Sequence, residues 1–185
     1  MAIVAISGKS GCGNTTVSRL VAEALGYEFI NYTFRTMAAE LGMPLQQVLE
    51  LAAADPSWDQ RLDAHQVELA RAGNTVIASR LAAWMVPEAD LKVYLKASPA
   101  IRAARIHQRE GGDFDEIRRF TQERDARDHE RYLRIYGIDI DDLQPMHLII
   151  DTERWQAAQV AEIIITACRA AGLGILPGME HSKHG

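Results

Sequence analysis

Residues 3–26 read IVAISGKSGCGNTTVSRLVAEALG, and their pattern indicates the class of fold. It opens with a short apolar run that ends at Gly8. After a glycine-rich segment, apolar residues return with helical spacing at Val17, Val21 and Leu25. The apolar run predicts a buried strand, and the later spacing predicts an amphipathic helix. The order strand, glycine-rich turn, helix is typical of the first unit of a parallel α/β sheet.

The same alternation continues along the chain. Further apolar runs, separated by helical patterns, predict strands at 27–31, 75–79, 91–98 and 147–152. Such alternation predicts a three-layer α/β fold with a five-stranded parallel sheet, because helices must cover both faces of parallel strands. Ligands of these sheets bind beyond the carboxyl ends of the strands. We expect one domain over residues 1–175 and a flexible tail over residues 176–185.

Composition excludes several classes of protein. The formal net charge of the 185 residues is -5, which argues against a nucleic-acid-binding protein. No apolar run approaches the ~20 residues that a membrane-spanning helix requires, and we expect no membrane partner. The first residues lack a basic leader, and Cys12 and Cys168 suggest no disulfide or metal framework. These features favour a cytoplasmic protein, and they leave its oligomeric state open.

The glycine-rich segment resembles a phosphate-binding loop. The usual pattern is G-x-x-x-x-G-K-[ST] between a strand and a helix, because backbone N–H groups must turn inward around an anion. Here Gly8 and Gly13 hold the glycine positions, and Asn14 replaces the lysine. We predict that the loop binds the phosphates of ATP and that the Thr15 hydroxyl is a ligand of Mg²⁺. The predicted loop residues are Gly8, Lys9, Ser10, Gly11, Cys12, Gly13, Asn14, Thr15 and Thr16.

Asn14 carries no charge, so the loop requires another cation. Lys9 follows the first glycine, as does the additional lysine in the deviant phosphate loops of partition-type ATPases. Its four-carbon stem is long enough to reach back over the loop to the β- and γ-phosphates. We therefore predict that Lys9 is catalytic. Two alternatives stay open at this point: Lys9 points to solvent, or the segment is a glycine-rich turn without a ligand.

Arginines dominate the later part of the chain. Nine of them lie between Arg102 and Arg134, and seven of these fall on two helix faces, three before Gly111 and Gly112 and four after them. This arrangement predicts a mobile helical lid over residues 105–135 that closes on phosphates and excludes water. Eight acidic residues in the same segment support the alternative of a solvated helix with internal ion pairs.

Several segments resemble cytidylate kinases, specifically the short archaeal-type branch of the P-loop nucleoside monophosphate kinases. The likeness extends from residue 3 to about residue 170, and RYLRIYGIDIDDL at 131–143 is the most specific segment. It implies a P-loop NTPase fold with acceptor-binding helices over about 33–72 and a helical lid. It also implies transfer of a phosphoryl group from ATP-Mg²⁺ to CMP, with small nucleotides as the partners.

The resemblance also implies roles for individual residues. Phe34 would pack against the base, and Arg35 would hold the acceptor phosphate. Arg80 would contact the phosphate or the cytosine. The lid residues Arg124, Asp128 and Arg131 would reach the ribose, the phosphate and the base, and both of these arginines are predicted to be catalytic. The alternative for each residue is a surface ion pair.

Three departures from the family pattern leave other functions open. Asn14 replaces lysine, Ala78-Ser79 replaces a usual Glu-Gly pair, and the loop before Phe34 is about two residues shorter. A relative that binds nucleotide without transferring phosphate is one alternative, and a kinase of another small molecule is the second. An acidic cluster, Asp139, Asp141 and Asp142, either turns a loop or binds a metal.

Overall fold

The protein is built on a parallel sheet of five strands. The computed structural model describes residues 1–174, so the predicted tail at 176–185 lies outside the described residues. The strands are β1 Ile3–Gly8, β2 Glu28–Ile30, β3 Thr75–Ala78, β4 Leu91–Lys96 and β5 Leu148–Asp151. They lie in the order β2-β3-β1-β4-β5, and every pairing between them is parallel, which confirms the predicted five-stranded α/β sheet.

Eight helices connect or follow the strands within residues 1–174. They are α1 Asn14–Leu25, α2 Phe34–Leu41, α3 Leu45–Ala54, α4 Ser57–Ala70, α5 Ala82–Met85, α6 Pro99–Glu110, α7 Phe114–Tyr136 and α8 Ala157–Ala170. In this part of the chain, no helix is both long enough and apolar enough to cross a bilayer.

Strand β1 lies at the centre of the sheet and is buried throughout. Because successive side chains of a strand point to opposite faces, β1 contributes to two separate cores. Val4 and Ile6 pack with α1 and α8 on one face, and Ala5 packs with α4 and α5 on the other. The sheet is therefore covered on both sides, and the carboxyl end of β1 remains at one edge, where Gly8 begins the loop to α1.

Two groups of helices extend beyond this edge. Helices α2, α3 and α4 share a small core around Tyr32, Met37 and Val48. Helices α6 and α7 meet at Gly111 and Gly112, whose φ angles of 72° and 96° favour glycine. The two groups correspond to the helices predicted over 33–72 and over 105–135, and their roles as acceptor-binding helices and lid stay predictions.

Candidate active site

The loop between β1 and α1 is shaped by close packing against its neighbours. A Cβ atom on Gly8 would lie 2.7 Å from the carbonyl oxygen of Leu95, and one on Gly11 would lie 2.8 Å from that of Arg102. Gly11 and Gly13 also have φ angles of +86° and +90°. The glycines therefore serve both the backbone conformation of the loop and its close approach to β4 and α6.

Helix α1 begins without a side-chain cap, which suits the binding of an anion. Its N-cap is Gly13, and no side chain accepts a hydrogen bond from the first turn. The free N–H groups and the positive end of the helix dipole therefore remain available at the cleft. Thr15 and Thr16 are exposed beside them and line the cleft.

Asn14 forms a hydrogen bond between the start of α1 and the residues after β3. Its Nδ2 donates to the Ser79 carbonyl oxygen at 3.3 Å, and its Oδ1 accepts from Ser18 Oγ at 3.3 Å. The amide is thereby fixed by two weak hydrogen bonds and supplies no positive charge. The loop still requires a cation from elsewhere.

Lys9 lines the cleft, but its ammonium group is paired with Asp141 in the turn that follows α7. Its Nζ lies 2.7 Å from Asp141 Oδ1, and Asp141 Oδ2 lies 3.1 Å from His129 Nδ1. The hydrogen bond from Lys9 holds the pKa of Asp141 below its usual value. The predicted contact between Lys9 and phosphates stays a prediction, and it requires that this ion pair open.

The acidic cluster around Asp141 serves mainly to turn the chain. Asp139 Oδ1 accepts from the backbone N–H of Asp141 at 2.9 Å, and Asp142 Oδ1 accepts from that of Gln144 at 3.0 Å. Ligand atoms of His129, Asp139 and Asp141 do lie within 4.8 Å of one another. The backbone hydrogen bonds account for the carboxylates of Asp139 and Asp142, and Lys9 pairs with Asp141, so the turn alternative fits better than a metal site.

Two arginines of α6 support the loop from beneath, and the second of them, Arg105, lies within the predicted lid. Arg102 is 2% exposed, and its Nη1 donates to the Ser10 carbonyl oxygen at 3.0 Å. Its guanidinium also forms an ion pair with Asp125 on α7. Arg105 donates to the Gly11 carbonyl oxygen at 3.4 Å and to Thr152 Oγ1 at 2.9 Å. These residues hold loop carbonyl groups, which leaves the loop N–H groups to face a ligand.

Cys12 is the one loop residue whose side chain turns into the core. It is 2% exposed, and burial raises the pKa of its thiol. Its backbone is also engaged within the protein: the N–H donates to the Lys9 carbonyl oxygen at 3.1 Å, and the carbonyl oxygen accepts from Thr152 Oγ1 at 3.3 Å. Cys12 is therefore the one predicted loop residue that does not line the cleft, and it contributes by shaping the loop. The thiol is a packing group, since a raised pKa disfavours the reactive thiolate.

A cleft of about 620 Å³ runs from the loop to α4 and α7. Among its cationic residues are Arg80, Arg124 and Arg131, which come from the end of β3 and from α7. Burial, together with the nearby charge of Arg80, lowers the pKa of Arg124. Arg80 and Arg131 are paired with Asp128 and Asp59, whereas Arg124 has no ion-pair partner among residues 1–174. Of these three arginines, Arg124 is therefore the one available to pair with an anionic ligand.

The predicted acceptor residues fall into three groups. Phe34 lines the cleft, as do Arg80, Arg124 and Arg131. Asp128 lies behind them and forms ion pairs with both Arg80 and Arg131. Arg35 is exposed at the start of α2 and is not part of the cleft wall. The structure therefore brings all of the predicted acceptor residues except Arg35 into one group.

Three polar residues of α4 also line the cleft, and the motifs and the family resemblance did not predict them. They are Asp59, Asp63 and Gln66, spaced four and three residues apart on one helix face. Asp59 is buried and accepts from Arg131 Nη1 at 2.9 Å. The signal was present in the sequence, because the face of α4 that should be apolar carries these three polar side chains instead.

The sheet order and the glycine-rich loop together define a class of fold, the P-loop α/β fold. The structure resembles that of shikimate kinase from Acinetobacter baumannii, with a TM-score of 0.63, 18% identity and coverage of 94% of this chain and 96% of the other. It also resembles deoxyadenosine kinase from M. mycoides, with a TM-score of 0.53, 14% identity and coverage of 91% and 100%. At such low identities these likenesses show the fold alone.

Sequence comparison identifies the family within this class. The model of the cytidylate kinase-like family matches residues 3–154, and the chain belongs to that family, as predicted. "Cytidylate kinase 2" of Borreliella afzelii is 46% identical over 165 residues, covering 87% of this chain and 93% of its own. The cytidylate kinase of Pyrococcus horikoshii is 41% identical over 167 residues, covering 89% and 87%.

Proposed function

We propose that the protein is a nucleoside monophosphate kinase that transfers the γ-phosphoryl group of ATP to CMP or dCMP. One observation carries the proposal: a phosphate-binding loop with an uncapped helix start faces Arg80, Arg124 and Arg131 across a single cleft. Two negatively charged substrates can meet there with their phosphates between the loop and the arginines. Family membership supports this activity, since the relatives described above are cytidylate kinases.

The reaction needs no covalent intermediate with the protein. A phosphate oxygen of the acceptor attacks the γ-phosphorus of ATP, the bond from that phosphorus to the β-γ bridging oxygen breaks, and ADP and the acceptor diphosphate leave. Catalysis then consists of positioning and of neutralising the charge on the transferred group. Loop N–H groups hold the donor phosphates, and Arg124 and Arg131 act from the opposite side.

Lys9 supplies the missing positive charge in this proposal. Its Nζ leaves Asp141 and turns toward the β- and γ-phosphates when ATP is bound. This exchange of partners is energetically feasible, because a surface ion pair contributes at most about 1 kcal/mol and the two phosphates attract the ammonium group more strongly than one carboxylate does. His129 remains within hydrogen-bond distance of Asp141 when Lys9 has moved, so the carboxylate keeps one partner.

The residues at the start of α1 fit a magnesium ion bound together with ATP. Thr15 presents an exposed hydroxyl beside the loop, and Mg²⁺ prefers hard oxygen ligands while keeping several waters. When bound, the ion neutralises phosphate charge. The cleft-lining residues would then orient the acceptor toward the donor. The two cysteines, both free and buried, fit the reducing cytoplasm that we expect as its location.

A second candidate is a relative that binds nucleotide but transfers nothing. It is favoured by Asn14 in the lysine position and by the pairing of Lys9 with Asp141. A coupled assay of ADP release with CMP, dCMP, UMP and AMP separates the two functions. Fastest release with CMP or dCMP supports the kinase. ATP binding without release with any of the four supports the binding protein, or a kinase whose acceptor is not a nucleotide.

A further inference from the structure

Helix α4 presents a polar face to the cleft that the transfer of phosphate does not require. Asp63 and Gln66 lie three residues apart on that face, so their side chains are neighbours. Asp59, one turn earlier, is already paired with Arg131. Asp63 and Gln66 thus remain as polar groups at the cleft wall whose partners must be explained.

Gln66 is the less satisfied of the two residues. It is 4% exposed, and its Oε1 is buried without a hydrogen-bond partner among residues 1–174. Buried polar atoms in native proteins nearly always have a partner, and an exception calls for an explanation. An amide offers one acceptor and a pair of donors, so a bound ligand with a mixed polar edge would satisfy it.

Asp63 adds an acceptor beside this amide. Tyr136 donates its hydroxyl to Asp63 Oδ2 at 2.6 Å, and the hydrogen bonds of the described residues leave Oδ1 open. A carboxylate only accepts hydrogen bonds, so Oδ1 favours a ligand group that donates. The pair therefore presents a carboxylate acceptor next to an amide that can both accept and donate.

We propose that Asp63 and Gln66 read the base of the acceptor nucleotide and select cytosine over uracil. This inference rests on the proposed kinase function. Cytosine carries an amino group at N4, which donates, whereas uracil carries a carbonyl oxygen at the same place, which accepts. The Asp63 carboxylate accepts from the amino group, and the Gln66 amide pairs with the ring edge beside it. Uracil would place its oxygen against the carboxylate, and two acceptors repel each other.

A substitution of Gln66 distinguishes a role in binding the base from a role in stabilising the fold. Replacing Gln66 by methionine removes the amide at nearly constant volume. If the amide exists to bind the base, Gln66→Met weakens the reaction with CMP and leaves the unfolding temperature unchanged or higher, because an unpaired buried oxygen is removed. If the amide supports the fold, the unfolding temperature falls instead.

The experiment compares kcat/KM for CMP and UMP, measured by ADP release, in wild type, Asp63→Asn, Asp63→Ser and Gln66→Met. We expect the ratio of CMP to UMP to fall about 10-fold to 100-fold in the Asp63 variants, the size of one lost base contact. We expect kcat/KM for CMP to fall about 10-fold in Gln66→Met. Gln60→Met and Glu68→Gln, exposed on α4 outside the cleft wall, are the controls and should keep the wild-type ratio.

A change in the substrate tests the same contact in the wild-type protein. The 5′-monophosphate of pyrimidin-2-one riboside lacks the amino group, and we expect its kcat/KM to lie at least about 10-fold below that of CMP. That gap should narrow in Asp63→Asn. Two results overturn the inference. One is a CMP to UMP ratio of kcat/KM that stays within a factor of about two of wild type in every cleft variant. The other is equal kcat/KM of wild type for CMP and the pyrimidin-2-one nucleotide. Absence of ADP release with any nucleotide in wild type overturns the kinase proposal itself.

Discussion

Replacing Arg102 with methionine removes the cation that joins the phosphate-binding loop to α7. Arg102 is 2% exposed and donates to the Ser10 carbonyl oxygen at 3.0 Å, to the Ala97 carbonyl oxygen at 3.2 Å and to Asp125. Methionine keeps most of the apolar stem and none of the donors. The Asp125 side chain, which is 16% exposed, is then left without its partner.

The expected loss of stability follows from these contacts. Removing one member of a buried ion pair costs about 3–5 kcal/mol, because the remaining charge stays desolvated. Asp125 keeps some contact with water, which favours the lower end of that range. The two carbonyl groups lose charge-assisted hydrogen bonds, which adds about 1 kcal/mol after partial rehydration. We therefore expect Arg102→Met to lower the free energy of unfolding by about 4 kcal/mol.

Urea unfolding at pH 7, followed by circular dichroism, measures this difference. Arg134→Met, an exposed residue on α7, is the matched control and should stay within about 0.5 kcal/mol of wild type. The double variant Arg102→Met/Asp125→Leu should regain more than half of the loss, because it leaves no unpaired charge. A loss below about 1 kcal/mol, or a double variant no more stable than Arg102→Met, would refute the reasoning.

Three further predictions concern the loop and the cleft. Lys9→Ala should lower turnover about 10²-fold or more, the size of one lost transition-state donor, while Lys92→Ala should not; near-normal turnover of Lys9→Ala in the ADP-release assay would remove Lys9 from the mechanism. Gly11→Ala should weaken ATP binding more than Gly13→Ala in calorimetry, because both positions have positive φ but only a Cβ at Gly11 meets the backbone of Arg102; equal effects would contradict this. Burial raises the pKa of Asp63 from its ordinary value of 3.8 to about 6, so its contribution to stability is complete below the unfolded value and is lost as the pH rises through about 6. At pH 8 the free energy of unfolding of Asp63→Asn, measured with urea, should therefore exceed that of wild type by about 1–3 kcal/mol, and at pH 3.5 the two should be nearly equal. A variant less stable than wild type at pH 8 would contradict the raised pKa.

The strand, the loop and α1 could be predicted because their information is local. Glycine positions and apolar spacing within residues 3–26 fix the turn, the strand and the helix without reference to the rest of the chain. The cleft residues Arg80, Arg124 and Arg131 were selected by the family resemblance, and they do lie together. For these residues, the position expected from the sequence agrees with the position in the structure.

The environment of Lys9 could not be predicted in this way. Its partner Asp141 lies 132 residues further along the chain, and only the docking of α7 and the following turn brings the two together. The same limitation applies to the arginines that share a helix face. Arg102 and Arg109 share a helix face in the sequence, yet Arg102 is buried beneath the loop and Arg109 pairs with Glu110 at the surface. Burial depends on which helix packs against that face.

Helix α7 holds both halves of the cleft at once. Through Asp125 it is joined to Arg102 and so to the donor loop, and through Arg131 and Tyr136 it is joined to Asp59 and Asp63 on α4. A helix is stiff, so it cannot shift at one of these ends without disturbing the other. If ATP binding displaces α7 at Asp125, we expect the contacts of Asp59 and Asp63 at the other end of the cleft to change with it.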